Sequence, residues 1–230
     1  MRQSPQDFDH FIKTRRNLGY QVVVQSSGET LLHYAARCQD SFSNVSKVVA
    51  NGVNPNQVTK TGYSPLMAAA VSYCHDSMSK LLNAGANPNL RTDDGYTAIH
   101  YWASGGNKKH LGFLIGAGVD VNQQDFFGRS AMHLSVQSLN TKAVQELIKA
   151  KANVNLADKF GVTPMSLINS DVFLKYKKRD LKKRDKIIQA LSEQNAIAGK
   201  EYSKTNYVKE NYSEETVSYT HLTLPTICSV

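Results

Sequence analysis

The chain is poor in the residues that would announce a catalyst or a secreted scaffold. It has one tryptophan, three cysteines and six prolines among 230 residues. Cys38, Cys74 and Cys228 lie in different segments, so free thiols in a reducing compartment are expected. No apolar run approaches the ~20 residues of a membrane-spanning helix. The opening, MRQSPQDFDHFIK, holds no apolar core of the signal-peptide kind. A cytoplasmic location is therefore the expectation, with secretion by a route that needs no such signal left open. GxSxG, HExxH, CxxC and GxxxxGK[ST] are all missing, and GAGVDV and GGNKKH are glycine-containing turns without a preceding strand to set a phosphate loop. Nothing in the sequence asks for an enzyme or for a cofactor.

What the chain does have is a period. Gly28, Gly62, Gly95, Gly128 and Gly161 are spaced 34, 33, 33 and 33 residues apart, and Asn56, Asn89, Asn122 and Asn155 recur every 33. A fixed period of this length predicts stacked units, each burying its apolar face only against its neighbours. Two residues after each glycine stands a hydroxyl residue: Thr30, Ser64, Thr97, Ser130 and Thr163. That is the residue type whose oxygen satisfies an orphan N–H at a helix start. Pro65 and Pro164 follow in two units and suit the first helical position. Small residues come one turn later (Ala35 and Ala36, Ala69 and Ala70, Ala103), where they let one helix approach the next. A second helix carries the pairs Val48–Val49, Leu81–Leu82, Leu114–Ile115 and Leu147–Ile148. It should stop at Gly52, Gly85 and Gly118, where a left-handed residue is wanted. Lys151 occupies that place in the fourth unit, at an expected cost of roughly 1 kcal/mol.

The units GETLLHYAA, GYSPLMAAA, GYTAIHYWA, GRSAMHLSV and GVTPMSLIN, each followed by a helix and an NxN-type loop, resemble ankyrin repeats. The resemblance is clear over about 26–163. It implies an all-α solenoid of stacked helix-turn-helix units, with hairpin-like turns projecting from one edge, and it implies a binding scaffold rather than a catalyst.

The flanks divide by composition. Residues 1–25, with Phe8, Phe11, Ile12 and Leu18 at helical spacing and Lys13, Arg15 and Arg16 between them, are expected to form a capping half-repeat. Residues 26–170 hold about four full repeats and the start of a fifth. The first unit is one residue longer than the next three, with the extra residue near Cys38–Asn44. The fifth begins normally, but its apolar cluster, Ile187, Ile188 and Leu191, comes about seven residues late. Residues 171–198 are expected to be a basic capping helix, with Leu174, Leu181, Ile188 and Leu191 as its apolar stripe. Residues 171–200 carry nine basic and four acidic side chains, a net charge equal to that of the whole of 1–170, which carries sixteen and eleven. A solvated cap is one reading of this segment; a nucleic-acid or anionic-membrane patch is the other. Residues 199–216 are polar and expected to be disordered. Residues 217–230 contain VSYTHLTLPT, which matches nothing in the repeat and resembles a translated transposase-type sequencing adapter. The natural reading is then expected to stop near Thr216, which leaves open that the gene product continues into a further domain.

Three histidines, His33, His100 and His133, share one slot in different units. Packed helices lie about 8–10 Å apart, too far for same-slot rings to share a metal. The resemblance implies instead that this histidine bonds backbone in the turn region. Trp102 stands where other units have Ala35, Ala69 or Ser135; it is either compensated core or an anchor exposed in the groove.

The family holds its partners with the finger turns and the inner face of the first helices. Here the matching turn positions are Ser27 and Glu29, Thr61 and Tyr63, Asp94 and Tyr96, Phe126, Phe127 and Arg129, then Phe160 and Val162. Tyr63, Tyr96, Phe126, Phe127, Arg129 and Phe160 form the candidate partner-binding ridge, since aromatic residues and Arg are the usual hot spots. Packing between repeats is the competing role. The expected partner is a protein, and the chain is expected to be a monomer. The alternatives are a targeting or immunity module for a missing domain, or nucleic-acid or anionic-membrane binding through the basic segment.

Overall fold

Each turn glycine hands the chain to a short helix, and each short helix to a second one running back beside it. The computed structural model describes residues 28–37, 43–72, 75–105, 110–170 and 178–199. The expected N-terminal half-repeat, the three cysteines, the extra residue of the first unit and nearly all of the polar tail and adapter-like segment lie outside the described residues.

Ten helices are described. The first helices of units one to five are α1 (Leu31–Arg37), α3 (Pro65–Val71), α5 (Ala98–Gly105), α7 (Ala131–Gln137) and α9 (Pro164–Asn169). The second helices are α2 (Ser43–Ala50), α4 (His75–Asn83), α6 (His110–Gly116), α8 (Thr141–Lys149) and α10 (Lys178–Ser192). Among the described residues there is no strand; Gln124 and Ser130 form an isolated bridge.

Burial follows the sequence marks. Val48, Leu81, Leu114 and Leu147 are fully buried at equivalent places in the second helices. Ala36, Ala69, Ala70 and Ala103 are fully buried in the first. These small residues let the first helices pack against one another more closely than the second helices do. The stack therefore curves, with the first helices on its inner side. Trp102 is also completely buried, so it belongs to the core and is no groove anchor.

The hydroxyl marks serve two chemistries. Ser64 Oγ and Thr163 Oγ1 cap their helices directly, accepting from the N–H groups of Met67 and Ser166. In the three histidine units the hydroxyl instead meets the imidazole, with Thr30, Thr97 and Ser130 lying 2.9, 3.0 and 2.9 Å from the Nδ1 atoms of His33, His100 and His133.

The second helices end in left-handed residues, as the glycines require. φ is +79° at Gly52, +84° at Gly85, +83° at Gly118 and +59° at Lys151. In unit five this place falls to Asn195, at φ +55°. Asn195 lies 44 residues after Lys151, whereas the preceding interval, Gly118 to Lys151, is 33. Unit five thus carries eleven extra residues, more than the seven expected from its apolar cluster. Ile187 and Leu191 are buried where α10 packs against α8 and α9, and Ile188 is half-buried.

The recurrent asparagines explain the second periodic mark. Asn56 Oδ1 accepts the N–H of Asn87, Asn122 Oδ1 that of Asn153, and Asn155 Oδ1 that of Ile197, at 2.6, 2.7 and 2.7 Å. Each of these three asparagines pins the next unit's loop where it leaves the second helix. Asn155 also donates to the Asn195 carbonyl, so residues 195–199 lie in the register of a further loop rather than in a helix end.

Candidate functional site

The finger turns are built by one short side chain apiece. Thr59 and Thr92 accept the N–H of Tyr63 and Tyr96 at 3.1 Å. Asp125 Oδ1 accepts the N–H groups of Phe127 and Arg129, and Asp158 Oδ1 those of Phe160 and Val162. Each finger then donates one backbone N–H to the finger before it: Asp93 to Thr61 O, Phe126 to Asp94 O and Lys159 to Phe127 O, at 3.1, 3.1 and 3.0 Å. The fingers form one zipped edge, and the aromatic side chains are fixed to it in register.

The histidines tie this edge to the helices. Nδ1 of His33, His100 and His133 accepts the backbone N–H of Thr30, Thr97 and Ser130. A carbonyl can only accept, so Nε2 carries the proton, and it donates to the carbonyls of Tyr63, Arg129 and Val162 in the next unit at 2.9, 3.2 and 3.0 Å. Burial lowers all three histidine pKa values, that of His100 to about 4. These rings are neutral structural struts between units, as the resemblance implied. Among the described residues no group of three or more His, Cys, Asp or Glu side chains is placed to hold a metal.

The six ridge residues divide. Tyr63, Tyr96 and Phe160 are half-buried and pack against the core. Tyr63 lies between His33, stacked at 6.1 Å, and Tyr101, edge-on at 5.0 Å. Tyr101 also meets Tyr96 at 5.7 Å, so three tyrosines from units two and three form one continuous cluster. Burial and the neighbouring phenols push the Tyr101 pKa well above the usual tyrosine range, which keeps it a neutral hydroxyl. Arg129 is half-buried over two rings, 5.4 Å from the centroid of Tyr96 and 4.9 Å from that of Phe127, and its Nε donates to Asp125 Oδ2 at 2.8 Å. Phe126 is the most exposed of the six, at 51%.

Phe126 is held although it is exposed. Its ring lies on Gly95 of the preceding finger, where an added Cβ would come within 2.7 Å of ring atoms Cγ and Cδ1. Arg91 lies 5.9 Å from the ring centroid, with one guanidinium nitrogen donating to the carbonyls of Gly95 and Gln124. Arg91 and Tyr101 are the site residues that sequence reasoning missed. Arg91 sits in a slot filled elsewhere by Val58, Gln124 and Ala157, so no periodic signal marked it. Tyr101 shares its slot with Tyr34, Ala68, Leu134 and Leu167, and it read as ordinary helix interior.

A family model of ankyrin repeats, three copies, matches residues 10–92 and again 32–125, and the single ankyrin repeat matches 127–159. The chain belongs to the ankyrin repeat family. A search of curated proteins returned no match. Ankyrin repeats are in general protein-binding modules and typically not catalysts. In this ankyrin array the matched units run from the unit before Gly28 to the end of the fourth, and α9 with α10 adds a fifth helix pair packed on α7 and α8.

Proposed function

We propose that this ankyrin array is a non-catalytic protein-binding scaffold whose partner contacts the fingertips of units three and four and the adjoining inner groove. The observation that carries the reading is the contrast along the ridge. Tyr63, Tyr96 and Phe160 spend their rings on packing between units, while Phe126 stands 51% exposed on a rigid seat made by Gly95 and Arg91. A large ring already fixed in place loses little conformational entropy on binding, which is the property of an interface anchor. Phe127 and Arg129 extend the anchor, and the tyrosine cluster continues it toward units two and three.

The test is capture by the full chain compared with capture by Phe126→Ala/Phe127→Ala, each checked for helicity and melting temperature. The double variant should keep its helical signal and lose the partner. Unchanged capture, or loss of folding together with capture, would remove the reading. Arg91→Ala, which leaves both rings in place, should weaken capture by releasing the seat of Phe126.

A further inference from the structure

The two helix layers of the array carry charge very unequally. The first helices α1, α3, α5, α7 and α9 contain one charged side chain, Arg37, and it is paired with Glu29. The second helices α2, α4, α6, α8 and α10 contain ten Lys and Arg against four Asp and Glu, a net charge of +6 out of +8 for the whole chain. Glu146, Asp180 and Asp185 each have a cation of their own helix within reach: Lys149, Lys183 and Arg184. Lys47, Lys142, Lys182 and Lys186 are exposed and form no ion pair among the described residues. The outer face is therefore graded in charge: α10 carries a net +4, α2 and α8 a net +1 each, and α4 and α6 none.

Its centre is apolar. On α6, Phe113 occupies the slot held elsewhere by Lys47, Lys80 and Glu146, and it is 41% exposed. Ile115 is 42% exposed, while its equivalents Val49, Leu82 and Ile148 are only half-buried neighbours of the core. Gly112 and Gly116 flank the pair and contribute no side chain, and nothing lies within 4 Å of a Cβ added at either. Two apolar side chains thus stand part-exposed on either flank of the Gly112–Gly116 ridge of α6, with the cationic helices α8 and α10 following on one side.

We propose that this outer face docks on an anionic lipid surface, with Phe113 and Ile115 entering the headgroup–acyl boundary and the cations of α8 and α10 held by the lipid phosphates and carboxylates. The charge complements such a surface, and the apolar pair distinguishes it from a nucleic acid. Phosphate contacts need only the cations, while Ile115 gains nothing beside a phosphodiester and gains fully on leaving water. No described helix is long and apolar enough to cross a membrane, so the attachment is peripheral. It also leaves the inner groove and the fingertips, on other sides of the array, free for a protein partner.

The experiment is vesicle co-sedimentation of the full chain. One set of vesicles is phosphatidylcholine alone; the other contains about one-third phosphatidylserine, enough for a negative surface potential. Binding should be confined to the anionic vesicles and should weaken severalfold as salt rises from about 50 to about 200 mM. Phe113→Ser/Ile115→Ser should lower affinity at least tenfold at fixed salt, and Lys142→Glu/Lys182→Glu/Lys186→Glu, which leaves core packing alone, should lower it further. Helicity of each variant is checked by circular dichroism. No binding by the parent chain overturns the proposal. So does anionic-vesicle binding that ignores the Phe113/Ile115 change, or a short DNA duplex that is bound as tightly and with the same indifference to those two residues. Either of the last two would make the face a general polyanion surface.

Discussion

The ring of Phe126 rests on the backbone of Gly95, one unit earlier, at a distance that admits no Cβ. Gly95 thus has two reasons to be glycine, its φ of +80° and this close approach. Gly85 has only the first: its φ is +84°, and nothing lies within 4 Å of an added Cβ. Gly85→Ala should cost about 1 kcal/mol for the left-handed backbone. Gly95→Ala should cost roughly 2–4 kcal/mol, because the ring and the backbone nitrogen of Phe126 must also be displaced. Urea unfolding of the two variants checks this, and equal losses would mean that Phe126 is not seated there.

Lys151 offers the opposite change. It holds φ +59° at the end of α8, where Gly85 and Gly118 end α4 and α6. Lys151→Gly should stabilise the array by up to about 1 kcal/mol, since glycine reaches this conformation without a Cβ clash. A thermal melt showing no gain would place the φ strain elsewhere.

Acid should loosen the stack through its buried histidines. The His100 pKa is lowered by burial, against the opposing pull of Asp125, from 6.5 to about 4, and those of His33 and His133 move the same way. A depressed folded-state pKa means that the unfolded chain takes up the proton first. The contribution is therefore complete above pH 6.5 and is lost as pH falls toward about 4; below that both states are protonated. For His100 this amounts to roughly 3 kcal/mol. Glu29, held below its usual value of 4.5 by Arg37 although burial opposes this, adds a loss at the acid end of the range. The melting temperature should be flat above neutrality and fall between pH 6.5 and 4. His100→Gln should melt lower at neutral pH but with a shallower slope, and an unchanged slope would assign the acid loss to other groups.

Trp102 gives a built-in reporter. It is the single tryptophan and is completely buried in α5. Native fluorescence should be blue-shifted and should move red on unfolding of the central units. Trp102→Ala should cost about 3–5 kcal/mol through the cavity it leaves. A native spectrum already typical of water-exposed indole would contradict its place in the core.

Much of this architecture could be read one residue at a time. A glycine at a left-handed turn, a hydroxyl at a helix start and an apolar pair on a second helix act within a few residues of themselves. Their recurrence therefore predicted the repeated units. The histidine slot was legible as structural for the same reason. The hydroxyl beside it was read only in part, because the imidazole that takes it in three units replaces the direct cap seen at Ser64 and Thr163.

The ridge was legible as a set of positions but not as a surface. Tyr63 and Phe126 both stand beside a turn glycine, yet Tyr63 lies between rings supplied by units one and three, and Phe126, resting on Gly95 beside Arg91, stays 51% exposed. Exposure at a finger depends on what the neighbouring units put in their own slots, thirty or more residues away. The same non-local dependence hid the full length of the insertion in unit five, because only the pairing of Asn155 with residues 195–197 fixes the register there. It also hid the outer face, which carries Phe113 and Ile115 on α6 and most of its cations on α10. By itself the sequence determined the repeat, its turns and its family, since those are set by local backbone chemistry recurring in register. Which aromatic rings face water, and which charges share a face, was decided only when the units stacked.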